Sequence, residues 1–408
     1  MGQSSKLGFE ELAKQSALYP QEALQSVKKN VNSLQIGLPK EISLQEGRIG
    51  LTPEAVAILV RNGHGVVVEA GAGKVSNFSD HEYSEAGAVI ASSAREVFQA
   101  DVILKVEPLV DSEFEMIKAG STVISALNLP SLEKRYFEKL NQSKVTAIAY
   151  ELIEDQVGGL PIIRAMSEIA GSTVLLIAAE YLSNPNGGRG IILGGITGVP
   201  PTKVVILGAG TVAEYATRAA LGLGADIKVF DKHIYRLQRL KYSIGQNLYT
   251  SIIDSDTLGE AVGRADVVIG AMRAEEGFSP CVVTEEMVGL MKPGSVIIDV
   301  SIDQGGSFET SRMTTHKDPV FKHSDVIHYC VPNIPSRVAH TASTALSNIF
   351  LPFLLQTGTI GGIEEMIYAN RWFMRGVYSH KGTLTNPYIA RKYSMRFKDL
   401  TLLMAARM

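Results

Sequence analysis

The sequence predicts an α/β fold built from two doubly wound domains, the second inserted into a discontinuous first. Three observations carry this. Short β-branched runs alternate with helix-length segments from residue 34 onward, the pattern of a parallel sheet covered by helices. The alternation pauses at a long helical stretch and a glycine-rich loop, PNGGRGIILGGITGVPP (185–201), and then restarts. The chain, with 408 residues, 45% hydrophobic, also has apolar content for more than one core.

Taken in order, residues 1–33 read as a polar, helical extension without the apolar run a secretory signal needs. QIGLPKEI (35–42) is a strand ending in a Pro-Lys-Glu turn. In TPEAVAILVRNGH (52–64), Thr52 is placed to cap a helix, Pro53 to open it and Gly63 to close it. GVVVEAGAG (65–73) is a strand, SSAREVFQA (92–100) a helix, and DVILKVEP (101–108), STVISALNLPS (121–131) and KVTAIAYELI (144–153) are strands. IIRAMSEIAGSTVLLIAAEYLSN (162–184) is a helix long enough to bridge two domains. The second alternation has strands in TKVVILGAG, ADIKVFD, DVVIGAM, SVIIDVS and VIHYCV (326–331), with helices between the first four. The remainder, 339–408, reads as helical and is expected to pack back on the first domain. The expected organisation is therefore an extension (1–33), a substrate domain (34–162 completed by 339–408) and a dinucleotide-binding domain (163–338).

Composition excludes several classes. The formal charge is −3 with Lys and Arg scattered, which argues against a nucleic-acid footprint. The two cysteines, Cys281 and Cys330, allow no disulfide framework and no CxxC metal site, so a reducing cytoplasmic setting is expected. Apolar runs are interrupted by charge, Gly or Pro, and no membrane span is expected. His316, His323 and His328 are loosely clustered, but a solvated face is the expectation and no metal site is assigned.

The turn ILGAGTVAE (206–214) carries the most chemistry. Gly208, Gly210 and Ala213 form G-x-G-x-x-A between a buried strand and a helix, and Asp231 ends the next strand 23 residues after Gly208. The first glycine allows the tight turn and the second lets backbone approach a pyrophosphate. The small third residue lets helix and strand close up, and the helix N-terminus offers N–H groups to phosphate. Asp231 is placed for the adenosine ribose, which favours NAD over NADP, although Lys232, His233 and Arg236 follow closely. A turn that binds nothing and an FAD site are the alternatives.

Polar residues at strand ends are the other candidates, because ligands in open α/β sheets sit outside the carboxyl ends of strands. Asp303, in the glycine-flanked turn after SVIIDVS, either exchanges a proton beside a ligand or caps its turn. Asn333, between two prolines, either contacts a ligand or serves turn chemistry. Arg48 suits a bidentate carboxylate contact, although on sequence alone a surface arginine is the commoner case. Lys105, in an apolar strand, either snorkels or is aimed at an anion.

Together these stretches resemble the alanine dehydrogenase family and, more distantly, the NAD-binding subunit of the proton-pumping nicotinamide nucleotide transhydrogenases. The similarity is collinear from about Gln35 to about Ile360. It includes GLPKEI, GRIGLTPEAV, ILKVEP, AYELI, MSEIAGS, GGRGIILGGITGV, VVILGAGTVA, KPGSVIIDVSIDQGGSFETSRMTTH and YCVPNIPS. The resemblance implies reversible oxidation of L-alanine by NAD to pyruvate and ammonia, in a cleft between the domains of a homo-oligomer. It implies that Arg48 grips the substrate carboxylate, that Asp303 assists at the reacting centre, and that Asn333 closes the cofactor side. Ser167 falls near the cofactor phosphate and Asp231 on the ribose.

Two departures stand out. The family's K-V-K-E-P, whose second lysine is catalytic, is K-V-E-P here, and Lys105 aligns with the first lysine. The family's substrate histidine falls on Asn128, which can donate a hydrogen bond to a carbonyl oxygen but carries no proton at neutral pH. The expected partner is thus an amino acid or 2-oxo acid, held by Arg48, Lys105, Asn128 and Asn333, with Asp303 managing water and protons. The departures keep two alternatives open: another amino acid or a saccharopine-like substrate, and a transhydrogenase-like NAD(H)-binding partner protein.

Overall fold

Six short runs rich in Val, Ile and Ala form the first sheet. They are β1 (Gln35–Leu38), β2 (Gly65–Glu69), β3 (Val89–Ala91), β4 (Val102–Leu104), β5 (Thr122–Ser125) and β6 (Thr146–Ala149). The computed structural model describes residues 32–405 except 44–45, 156 and 274–278, so the expected extension lies almost wholly outside the described residues. The six strands are parallel in the spatial order β3-β2-β1-β4-β5-β6. This is the 3-2-1-4-5-6 order of a doubly wound sheet, whose switch point falls between β1 and β4.

The second sheet repeats the order. Its strands are β7 (Lys203–Leu207), β8 (Asp226–Asp231), β9 (Tyr249–Ile252), β10 (Val267–Gly270), β11 (Val296–Asp299), β12 (Val320–His323) and β13 (Val326–Tyr329). They lie in the order β9-β8-β7-β10-β11-β13-β12, with only the β12–β13 pair antiparallel. Its switch point lies between β7 and β10. Successive residues along the central strands enter different apolar clusters, Ile206 on one face and Val205 and Leu207 on the other. Ile103 and its neighbours Val102 and Leu104 divide in the same way. Both sheets are therefore covered on both faces, as continuous apolar strands require.

The C-terminal part corrects the helical reading. It adds β14 (Val377–His380) and β15 (Thr383–Leu384), and β14 pairs antiparallel with β6, extending the first sheet. A four-residue strand has too few residues to establish a period of two, and β15, at the edge, has only two. The other unforeseen strands, β3, β9 and β12, are edges and are partly exposed.

Four helices position the site. Helix α1 (Pro53–Arg61) starts where expected, with the Thr52 side chain accepting the Ala55 N–H. Helix α2 (Pro161–Leu182) packs on α3 (Thr211–Gly222), which follows the glycine turn, and on α4 (Ala339–Ile360). By length and composition alone α2 and the helical run Ile334–Ile360 could each cross a bilayer, contrary to the expectation that no stretch would qualify. Their apolar character is used within the fold: α2 buries Val174, Leu175, Ile177 and Ala178, and α4 buries Leu346, Phe350 and Leu354.

The α2–α3 approach depends on Gly171. A β-carbon there would lie 2.4 Å from the Val212 carbonyl oxygen and 2.8 Å from the Tyr215 β-carbon. Alanine gains about 1 kcal/mol in helix propensity, whereas overpacking against backbone costs about 1–3 kcal/mol. Because backbone cannot swing aside, the clash dominates. Gly171→Ala is expected to destabilise the second domain by about 1–2 kcal/mol, read as a lowered thermal unfolding midpoint.

Candidate active site

At the second switch point, β7 runs into Gly208, whose φ is +102°. A β-carbon at Gly208 would also lie 2.5 Å from the Ala271 carbonyl oxygen, so this turn needs glycine twice over. At Gly210, by contrast, a β-carbon would meet nothing within 4 Å. That open space, beside the first N–H groups of α3, leaves room for the close approach of an anionic group. Ala213 is fully buried on α3. Asp231, at the end of β8, accepts the Ala209 N–H at 2.8 Å and the His233 N–H at 2.8 Å. A carboxylate has about four acceptor sites, so lone pairs remain for a hydroxyl. Ser167 is half-buried on α2, one helical turn before Gly171 and on the same face.

After β11, the buried Asp299 organises the next turn. Its carboxylate accepts the Ser301 N–H (3.1 Å), the Ser307 N–H (2.9 Å) and the Ser311 hydroxyl (2.7 Å). Asp303 projects from this turn on the short 3-10 helix Ile302–Gln304. It is accessible to solvent yet surrounded on several sides, and that desolvation raises its carboxyl above the ordinary range.

The loop after β1 meets the second domain. Arg48 is buried, not at the surface, and Glu46 grips it side-on: Nε donates to Oε1 at 2.8 Å and Nη2 to Oε2 at 2.6 Å. Burial disfavours the Arg48 charge, but Glu46 outweighs this and raises its pKa. Burial likewise pushes the Glu46 carboxyl up, while Arg48 and the Asn333 amide hold it below its usual value. Glu46 Oε2 accepts the Asn333 amide at 2.5 Å, and Ser336 Oγ accepts the Gly47 N–H at 2.9 Å. His316 hydrogen-bonds the Asn333 backbone and lies in the field of Glu46 and Arg48, with its pKa lowered chiefly by burial. Arg48 Nη1 points at the Met166 sulfur of α2, 3.4 Å away. The Nη1–Nη2 fork therefore remains for a second carboxylate.

Lys105 does not snorkel to the surface. Its ammonium, 1% exposed, donates to Glu113 at 2.8 Å and to Glu41 at 3.1 Å. It is aimed at anions, but both belong to the protein. Burial lowers its pKa and the two carboxylates more than restore it. Two of the three donors of Lys105 are thus taken by the protein's own carboxylates, which counts against the expected substrate contact. Asn128, at the end of β5, is exposed with φ +40°. Its backbone N–H and that of Leu127 point at Glu151 Oε1, at 3.4 and 2.8 Å. Thus Arg48 and Asn333 meet through Glu46, whereas no hydrogen bond joins Asp303 or Asn128 to that group among the described residues.

The sequence reading did not single out Glu46, Glu107 and Glu151. Glu107 and Glu151 sit just beyond strands at the first sheet's carboxyl edge, and that position was the available signal; Glu46 lies further along the loop after β1. The histidine expectation also changes. His328 is fully buried and bonded to Thr310 and the Val326 carbonyl, not on a solvated face. Among the described residues no group of His, Cys, Asp and Glu could hold a metal.

Comparison with known proteins follows this geometry across the whole chain. The profile of the Alanine dehydrogenase/PNT N-terminal domain matches residues 37–170, and that of the C-terminal domain matches residues 174–387. The chain belongs to the alanine dehydrogenase/PNT family. It is 38% identical over 371 residues to the alanine dehydrogenase of Mycolicibacterium smegmatis, covering 91% of this chain and 100% of that one. Alanine dehydrogenase 2 of Staphylococcus aureus is 39% identical over 368 residues, 90% and 98% of the two chains. Among solved structures, an L-alanine dehydrogenase superposes with a TM-score of 0.84 at 35% identity, over 88% of this chain and 99% of that one. A transhydrogenase from Sinorhizobium meliloti gives 0.73 at 26% identity, over 87% and 99%. In this family member the two buried cations of the first domain, Arg48 and Lys105, each have two carboxylates beside them.

Lys105→Met would leave Glu41 and Glu113 facing each other without their cation. The expected loss is about 3–5 kcal/mol of stability near neutral pH. Burial already raises the Glu41 carboxyl, and removing the lysine that opposes this raises it further above its unfolded value. The variant is therefore closest to the parent in acid and falls away as pH rises through that raised value. Urea unfolding at about pH 5 and about pH 8 reads both effects.

Proposed function

We propose that this chain is an NAD-dependent alanine dehydrogenase, converting L-alanine to pyruvate and ammonia and running in reverse. The observation that carries the proposal is that its relatives at 38–39% identity over nine-tenths of the chain are named alanine dehydrogenases. A carboxylate grip at one switch point and a dinucleotide turn at the other support it. The partner is then a small amino acid or 2-oxo acid. We also infer a homo-oligomer in the cytoplasm. Exposed Ile192, Ile196, Val199 and Leu223 around the glycine loop give a second copy apolar surface to cover.

In this reading Arg48 offers its Nη1–Nη2 fork to the substrate carboxylate, preorganised because Glu46 already fixes the guanidinium plane. Asn128 donates to the carbonyl oxygen. Asp303, with a raised carboxyl, holds water and exchanges protons beside the reacting carbon. The cofactor would be held by Gly208 and Gly210 at the pyrophosphate, by the N-terminus of α3 packed down at Ala213, and by Asp231 at the ribose. Ser167 and Asn333 would contact its phosphate and nicotinamide sides. When bound, the nicotinamide accepts the hydride from Cα, leaving an imine that water hydrolyses. Asp231 disfavours a 2′-phosphate through like-charge repulsion, which supports NAD over NADP.

The test is absorbance at about 340 nm with NAD and L-alanine, then with NADH, pyruvate and ammonium. Turnover in both directions is expected, and no turnover in either overturns the proposal. Gly208→Ala forces a β-carbon onto the Ala271 carbonyl and a left-handed φ on alanine. NADH affinity, followed by its fluorescence, should fall at least about tenfold.

A further inference from the structure

Glu107 follows β4 at the first switch point, two residues beyond Lys105 on the chain but facing a different cation. Its Oε1 lies 3.9 Å from Arg48 Nη2, the nitrogen that also donates to Glu46, and its carboxyl group is a hydrogen-bonding neighbour of the Glu46 carboxyl. Its side chain is 20% exposed, whereas that of Glu46 is 1% exposed. Of the two carboxyl groups beside Arg48, only Glu107 is therefore open to an incoming molecule. The chain around it is held firmly. Glu41 Oε1 accepts the Val106 N–H at 2.6 Å, and the Tyr150 hydroxyl donates to the Val106 carbonyl at 2.8 Å. The backbone aiming Glu107 is thus bonded on both sides.

An α-amino acid presents a carboxylate and an ammonium one carbon apart. Arg48 with Glu107 beside it presents the complementary pair, a cation and a carboxyl group with little between them. We propose that Glu107 binds the substrate's amino group and takes its proton before oxidation. This rests on the alanine dehydrogenase reading. The step balances: the substrate ammonium gives one proton to the Glu107 carboxylate, leaving a neutral amine and a carboxylic acid. The Cα–H electron pair then leaves as hydride to NAD, the oxidant of the proposed reaction. In the reverse direction the Glu107 acid returns the proton to the amine.

The surroundings suit a group that must change protonation near neutrality. Arg48, Glu46 and Glu41 face Glu107 from the loop after β1, and Tyr150 from the end of β6. His316 approaches the same Glu46–Arg48 pair from the second domain. Burial first, and then repulsion from Glu46, raises the Glu107 carboxyl to about 7, against the pull of Arg48. A lysine would be protonated and repel the ammonium. A carboxyl group poised near neutrality attracts it and can accept its proton.

The experiment compares the full-length protein with Glu107→Gln and Glu107→Asp. L-alanine binding to the enzyme–NADH complex is measured by calorimetry from about pH 6 to about pH 8, with pyruvate binding as the control. Parent affinity for L-alanine is expected to rise over that range as Glu107 ionises. Glu107→Gln should bind L-alanine about 10–100-fold more weakly with no such rise, and pyruvate and NADH as the parent does. In turnover its kcat/KM should fall by about 10²-fold or more and lose the limb near neutrality, with Glu107→Asp intermediate. A Glu107→Gln protein with parental L-alanine affinity and pH profile overturns the assignment. So does one that loses NADH and pyruvate binding together with L-alanine. A parent protein that binds L-alanine through Glu107 yet oxidises none overturns the functional reading alone. A parent that does neither overturns both.

Discussion

The bidentate contact between Glu46 and Arg48 is the interaction on which the rest of the arrangement depends. A guanidinium buried this far must have its charge answered, and Glu46 answers it along one edge. The remaining lone pairs of Glu46 go to Asn333 and Ser336 of the second domain. One carboxylate therefore fixes the plane of the arginine and ties together the loops that follow β1 and β13. Such a buried pair contributes little net stability once desolvation is counted. Its contribution is geometric, since it fixes the guanidinium plane, with Met166 and Glu107 as the other neighbours of Arg48.

That geometry works because one topology is used twice. In each domain the central strands diverge at a switch point, and the loops leaving them form a crevice at the carboxyl edge. In the second domain the crevice is lined by backbone, with Gly208 and Gly210 admitting a close approach. In the first it is lined by charged side chains. The difference suits the proposed reaction: phosphates are met by N–H groups, whereas a zwitterion needs both signs of charge. Helix α2 connects the two, touching Arg48 through Met166 and α3 through Gly171.

Most of the fold was legible because the signals were local. The central strands are buried on both faces and read as continuous apolar runs. The N-cap at Thr52 and the G-x-G-x-x-A turn depend on residues within one or two turns of each other. The peripheral strands were not legible, because β3, β9, β12 and β14 are three or four residues long and the first three are partly exposed edges. The same contrast holds in the candidate site. Gly208, Gly210 and Asp231 could be read from spacing alone. Lys105 could not, because its meaning depends on Glu41 and Glu113, which reach it only through the fold. Arg48 read as an ordinary surface residue for the same reason, and its partner Glu46, two positions away, drew no attention.

The sequence by itself determined the two-domain α/β architecture, the glycine turn between β7 and α3 and the family, since each rests on periodicity or on residues close together in the chain. Only the tertiary structure decided which charges are available to a ligand. Charge availability is a matter of distance and dielectric, not of order along the chain. Lys105 is neutralised by carboxylates 64 and 8 positions away, and Glu46 reaches a partner 287 positions on. What is left open after those pairings is one edge of Arg48 and the carboxyl group of Glu107.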